Sequence, residues 1–161
     1  MKKLLIFSII MVFLVGWFAS MVYSELNNSK IEVPFGFSEE QKIPYDRVKE
    51  SQIKVLNDKI VIELEDATWA SYADTNSMIP VLDKGANGLE LIPSSENDIY
   101  IGDIVAYESS YVDGLVVHRI VNIGEDSKGK FYILKGDNNK EVDPEKVRFE
   151  QIKYVLIGVI Y

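Results

Sequence analysis

Three side-chain types in this chain, brought together, would make a hydrolytic site. Ser77 follows Asp74-Thr75-Asn76 and precedes Met78-Ile79-Pro80; His118 is the single histidine of 161 residues; Asp137 and Asp143 bracket a turn-rich stretch beyond it. A serine hydroxyl is a poor nucleophile until a base takes its proton. Histidine is the side chain whose unperturbed pKa suits that transfer near neutrality, and a carboxylate fixes the imidazole tautomer and stabilises its charged form. The chemistry such a set performs is acyl transfer to serine followed by hydrolysis. Taken one at a time, each residue also has an ordinary structural duty. A serine beside asparagine caps a turn, a lone histidine on an apolar strand bonds a backbone carbonyl, and Gly136-Asp137-Asn138-Asn139 closes a loop.

Composition narrows the alternatives. With no cysteine, disulfides, thiolate metal sites and cysteine nucleophiles are excluded, and one histidine excludes any multi-histidine metal centre. Neither a metal nor a cofactor is expected. Seventeen basic against twenty-five acidic residues give a net charge of −8, an unfavourable surface for nucleic acid.

The N-terminus predicts an anchor. Leu4 to Tyr23 is a run of twenty residues without a charge. At about 1.5 Å per residue it matches the roughly 30 Å hydrocarbon core of a bilayer. Lys2 and Lys3 precede it and Glu25 follows, which puts a short N-terminus in the cytosol and the rest of the chain outside, in a single-pass cell-membrane protein. A cleavable signal, with Val22-Tyr23-Ser24 as its cleavage site, is the rival reading; its apolar region should be only about 7 to 15 residues. The expected division is 1–24 as cytosolic tip and anchor, 25–50 as connector, and 51–161 as a β-rich domain.

The elements that must position the three residues read as mainly β. Residues 53–56 and 60–64 flank Asn57-Asp58, a hairpin signature. Residues 104–107, 115–123, 131–134 and 154–161 are rich in β-branched and aromatic residues, and the last is predicted to be a final buried strand. Residues 44–51 are predicted as a short helix. Strand alternation puts His118 on the face of Val116 and Ile120, with Arg119 on the other.

The ordered blocks Ser77-Met78-Ile79-Pro80, Gly102-Asp103-Ile104-Val105, His118-Arg119 and Gly136-Asp137-Asn138-Asn139 with Asp143 resemble type I signal peptidase. The likeness is to the archaeal and endoplasmic-reticulum branch, in which histidine replaces the bacterial lysine base. It covers about residues 70–145 and implies a signal-peptidase-like antiparallel β catalytic domain behind a transmembrane helix. It implies Ser77 as nucleophile, His118 as general base and Asp143 or Asp137 as the acid that orients it. The oxyanion donors would be the Ser77 amide and the Thr75 hydroxyl. The implied substrates are exported preproteins with small residues before the scissile bond. Two features depart from the usual pattern: Val81 stands where threonine often follows the proline, and residues 83–96 insert a polar, glycine-containing stretch. The competing classes are a membrane-anchored β domain without catalysis, serving surface binding or assembly, and a serine-lysine processing peptidase, whose lysine position His118 occupies.

Overall fold

The computed structural model describes residues 2–28 and 43–161, and within its helix the side chains of residues 10–23. Most of the expected 25–50 connector lies outside the described residues. The chain divides into two compact units, Met1–Glu39 and Glu40–Tyr161. The first contributes one helix, α1 (Lys2–Asn28). Among the described residues, no helix is long and apolar enough to cross a membrane.

The second unit is β. Two short strands, β1 (Ile53–Val55) and β2 (Ile60–Ile62), form an antiparallel hairpin with Ile53 opposite Ile62 and Val55 opposite Ile60. The Leu56 amide closes its turn on the Lys59 carbonyl, as Asn57-Asp58 predicts. A six-stranded antiparallel sheet holds the rest: β3 (Ala67–Ser71), β4 (Asn87–Leu91), β5 (Ile104–Glu108), β6 (Leu115–Asp126), β7 (Gly129–Lys135) and β8 (Ile152–Ile160), in the order β3-β4-β8-β5-β6-β7. The predicted final strand is therefore central, paired to both β4 and β5.

Two sequence expectations are corrected. Residues 44–51 form no α-helix; only a 3₁₀ turn, Glu50–Gln52, appears there. The Tyr45 amide donates to the Asp103 carboxylate at 3.0 Å, so it is spent on a tertiary contact instead of a helical ladder. The polar stretch 83–96 is not a plain insertion, because it contains β4. Asn-Gly-Leu-Glu-Leu carries little β propensity, yet it becomes a strand by lying between β3 and β8. Gly88 is needed there: a Cβ on it would sit 1.7 Å from the Tyr72 hydroxyl.

Apolar residues pack on both faces of the sheet. Val105, Tyr107, Ile120, Tyr132, Leu134 and Val155 anchor one cluster, and Met78, Leu82, Ala86, Ile104 and Leu156 the other. Adjacent residues of β5 and β8 fall in opposite clusters, as period-2 alternation requires. His118 is on the Tyr107 side and Met78 on the other, so a histidine and a serine near those positions can meet only at an open sheet margin. That margin exists. Pairing of β7 with β6 ends at Lys135 opposite Arg119, and Leu115–His118 of β6 continue past it.

Candidate active site

His118 faces inward from β6 and is 8 % exposed. Its Nδ1 lies 2.9 and 2.8 Å from the two carboxylate oxygens of Asp143. Asp143 reaches it from the loop after β7, where its own amide donates to the Leu134 carbonyl at 2.8 Å. The following proline of Asp143-Pro144 favours the extended backbone that this reach requires. The same carboxylate accepts a 2.8 Å hydrogen bond from the phenol of Tyr107, a core residue of β5. Burial first, and then the Asp143 carboxylate, push the Tyr107 phenol well above the ordinary range, so it remains a donor. With Nδ1 turned to Asp143, Nε2 is the imidazole nitrogen left for chemistry.

Asp137 is elsewhere. It receives Arg119 Nε at 2.7 Å and Nη2 at 2.6 Å, while Arg119 Nη1 donates to the Gly102 carbonyl at 2.8 Å. This bidentate pair lies on the opposite face of β6 from His118, since consecutive strand residues alternate. The two aspartates that the sequence leaves as alternatives are thus separated: Asp143 contacts the histidine and Asp137 the arginine.

Ser77 sits in a turn that the Gly136–Asn139 segment holds from outside. Asn76 has φ of 59°, a left-handed conformation that asparagine tolerates, and the Ile79–Pro80 peptide is cis. The Asn138 amide donates to the Ser77 carbonyl at 2.9 Å, and its side-chain nitrogen to the Asn76 carbonyl at 3.1 Å. Met78, the next residue, is buried among Leu82, Ala86, Ile104 and Leu156 and accepts at Sδ from the Asp137 amide at 3.4 Å. The Ser77 hydroxyl lies 3.1 Å from the Thr75 hydroxyl, and no hydrogen bond joins it to His118. Among the described residues the Ser77 amide has no acceptor.

Ser77, Thr75 and His118 line one cavity of about 410 Å³, walled by apolar residues including Leu82, Val112, Leu115 and Val116. That space borders the open edge of β6. A larger cavity of about 1080 Å³ on the Arg119 side of the sheet holds none of the three. Among the described residues, no three histidine, cysteine, aspartate or glutamate side chains gather as metal ligands.

Two contributors escape a reading of the sequence. Tyr107 is a strand residue like its neighbours until pairing places it near His118, whose register partner is Val105, two residues earlier. Asn138 is a turn residue until the turn meets the Ser77 carbonyl. No known family, curated protein or solved structure matches this chain.

Proposed function

We propose that this chain is a membrane-anchored serine endopeptidase of the signal-peptidase type, removing signal peptides from exported preproteins. The observation that carries the reading is the shared cavity: Ser77 and His118 line it together, and His118 is already bonded through Nδ1 to the part-buried Asp143 carboxylate. Ser77 Oγ attacks the scissile carbonyl carbon as His118 Nε2 takes its proton. The C–N bond then breaks with that proton going to the leaving amine, and water hydrolyses the acyl-serine by the same route. The unclaimed Ser77 amide is a donor for the oxyanion, with the Thr75 hydroxyl beside it. A substrate strand would lie along Leu115–His118, where β6 runs past β7. The apolar walls suit small uncharged side chains before the junction.

The anchor and cell-membrane location, with the β domain outside the cytosol, belong to the same proposal. They rest on the uncharged run Leu4 to Tyr23 and the lysines before it. A tag after Tyr161 should be accessible from outside and one before Lys2 should not.

The test is cleavage by the full chain in detergent of a preprotein with Ala-x-Ala before its junction. Ser77→Ala and His118→Ala should each abolish cleavage while leaving the fold; persistence in Ser77→Ala rejects the serine mechanism. One observation favours the rival, a β domain that binds without catalysis: the Ser77 hydroxyl is engaged with Thr75 and not with His118. A serine-reactive probe separates the two, since only a base-assisted serine is labelled.

A further inference from the structure

Asp143 carries two donors from two different strands. His118 Nδ1 comes from β6 and the Tyr107 hydroxyl from β5, both within 2.9 Å of the same carboxylate. A buried phenol needs a partner for its hydroxyl, and phenylalanine would fill the same core volume without that demand. We infer that Tyr107 is a positioning residue that sets the proton affinity of His118 by drawing charge from the Asp143 carboxylate. Its meaning for catalysis rests on the peptidase reading; the coupling of the three groups does not.

The direction follows from what holds Asp143. Its amide is tied to the Leu134 carbonyl. Two residues on, Glu145 accepts from Ser109 Oγ at 2.6 Å, from the Ser110 amide at 3.0 Å and from Gln151 Nε2 at 3.2 Å. The loop is therefore fixed without Tyr107, and removing the phenolic oxygen changes the charge on the carboxylate more than its place. A carboxylate with one donor fewer attracts the imidazolium more strongly. Of the ionisable groups around His118, Asp143 is the one whose side chain bonds it. Tyr72 and Asp83 lie across the cavity, Glu145 is bonded as described, and Arg119 is on the opposite face, paired with Asp137.

Because His118 is the chain's single histidine, imidazole nitrogen NMR on the full chain in micelles reads its titration without assignment. In Tyr107→Phe the proton affinity of His118 should rise about threefold or more, a fraction of the more than tenfold worth of a hydrogen bond to a charged group, because the lost bond acts on the imidazole through Asp143. The acid limb of kcat/KM should move by the same amount. Tyr132→Phe removes another buried phenol, one that donates to the Glu96 carbonyl, and should leave the midpoint in place. On an Asp143→Asn background, Tyr107→Phe should have no effect. A midpoint that stays or falls in Tyr107→Phe overturns the inference. Should Tyr107→Phe not fold, a fluorotyrosine placed at 107, a stronger donor with the ring retained, should lower the affinity of His118, and an unmoved midpoint overturns the inference equally. The two readings fail separately. A chain that cleaves nothing but shows the shift retains the coupling and loses the peptidase; one that cleaves with an unmoved midpoint does the reverse.

Discussion

The Asn138 backbone amide donates to the Ser77 carbonyl at 2.9 Å, so the turn after β7 fixes the loop that carries the candidate nucleophile. The approach is close enough to require glycine at 136, where a Cβ would lie 2.7 Å from the Ser77 carbonyl oxygen and 2.6 Å from Asn139 Nδ2. Gly136→Ala must therefore move Ser77 or the turn. A displacement of about 1 Å at a reacting group costs on the order of 10²-fold in rate, and kcat should fall on that scale. Asn138→Ala keeps the backbone bond and loses the one to Asn76, costing about 1 kcal/mol and a smaller loss of kcat. Thermal melts with single-turnover cleavage check both; equal activity in Gly136→Ala and the parent chain contradicts the positioning account.

The separated aspartates give opposite expectations. Asp143→Asn removes the carboxylate bonded to His118 Nδ1 and should cut turnover towards the 10⁴-fold loss known for the corresponding change in the serine-protease template, with the fold kept. Asp137→Asn leaves Arg119 with a weakened partner in a site where both side chains are 17 % exposed. It should lower stability by roughly 2 kcal/mol with a lesser effect on turnover. Denaturant midpoints and kcat for the two variants decide it, and an inactive, stably folded Asp137→Asn with an active Asp143→Asn would exchange the roles.

Periodicity was enough to find β5, β6, β7 and β8, because Ile104-Val105-Ala106-Tyr107 and its counterparts alternate apolar residues across two buried faces. It was not enough for β4, where Gly88 and Glu90 are the buried positions and the strand owes its existence to its neighbours. The site divides in the same way. Residue types pointed to Ser77, His118 and two aspartates, since few side chains supply a nucleophile, a base and an orienter. Which aspartate meets the histidine depends on strand register and on the path of the loop after Lys135, neither of which local sequence encodes. Tyr107 and Asn138 act through contacts between residues 36 and 61 positions apart in sequence, and nothing in their flanking residues marks them.

Asp103, within Gly102-Asp103-Ile104-Val105, is a structural hub. It is fully buried and accepts from the Tyr45 amide at 3.0 Å, the Tyr100 amide at 2.8 Å, and Arg47 Nη1 and Nη2 at 2.9 and 2.7 Å. Arg47 also donates to the Asp98 carbonyl and lies over the stacked rings of Tyr45 and Tyr100. Asp103→Ala would leave two amides and a largely buried guanidinium without their acceptor. A loss of about 3 kcal/mol and a fall in Tm on the order of 10 °C are expected. Arg47→Ala leaves the buried Asp103 carboxylate with its amide donors but without its countercharge, and protection of the Tyr45 amide in hydrogen exchange should fall first. Full protection there in Arg47→Ala would show that the Asp103 carboxylate holds residues 43–48 unaided.

Two kinds of buried group predict how stability responds to pH. Glu90, 3 % exposed on β4, is raised above its ordinary 4.5, chiefly by burial, against which the Tyr72 hydroxyl's 3.3 Å hydrogen bond acts weakly. A carboxyl raised in the folded state binds more protons there than in the unfolded chain, so the contribution of Glu90 to stability is full below 4.5 and is lost as pH rises through the raised value. Glu90→Gln, a mimic of the neutral acid, should match the parent chain in Tm near pH 4 and exceed it near pH 8. At the alkaline end the phenols act with the same sign. Tyr132 is pushed up to about 12, first by burial and then by Glu96 and Glu150, and Tyr72 and Tyr107 are raised further still, again with burial foremost. Each holds its proton in the folded state after the unfolded chain has lost it at 10, so stability should fall steeply as pH climbs from 10. Tyr132→Phe should make that fall shallower between 10 and 12, measured as urea midpoint against pH. An unchanged slope in Tyr132→Phe, or equal Tm values for Glu90→Gln and the parent chain at pH 8, would show that the folded state does not retain those protons.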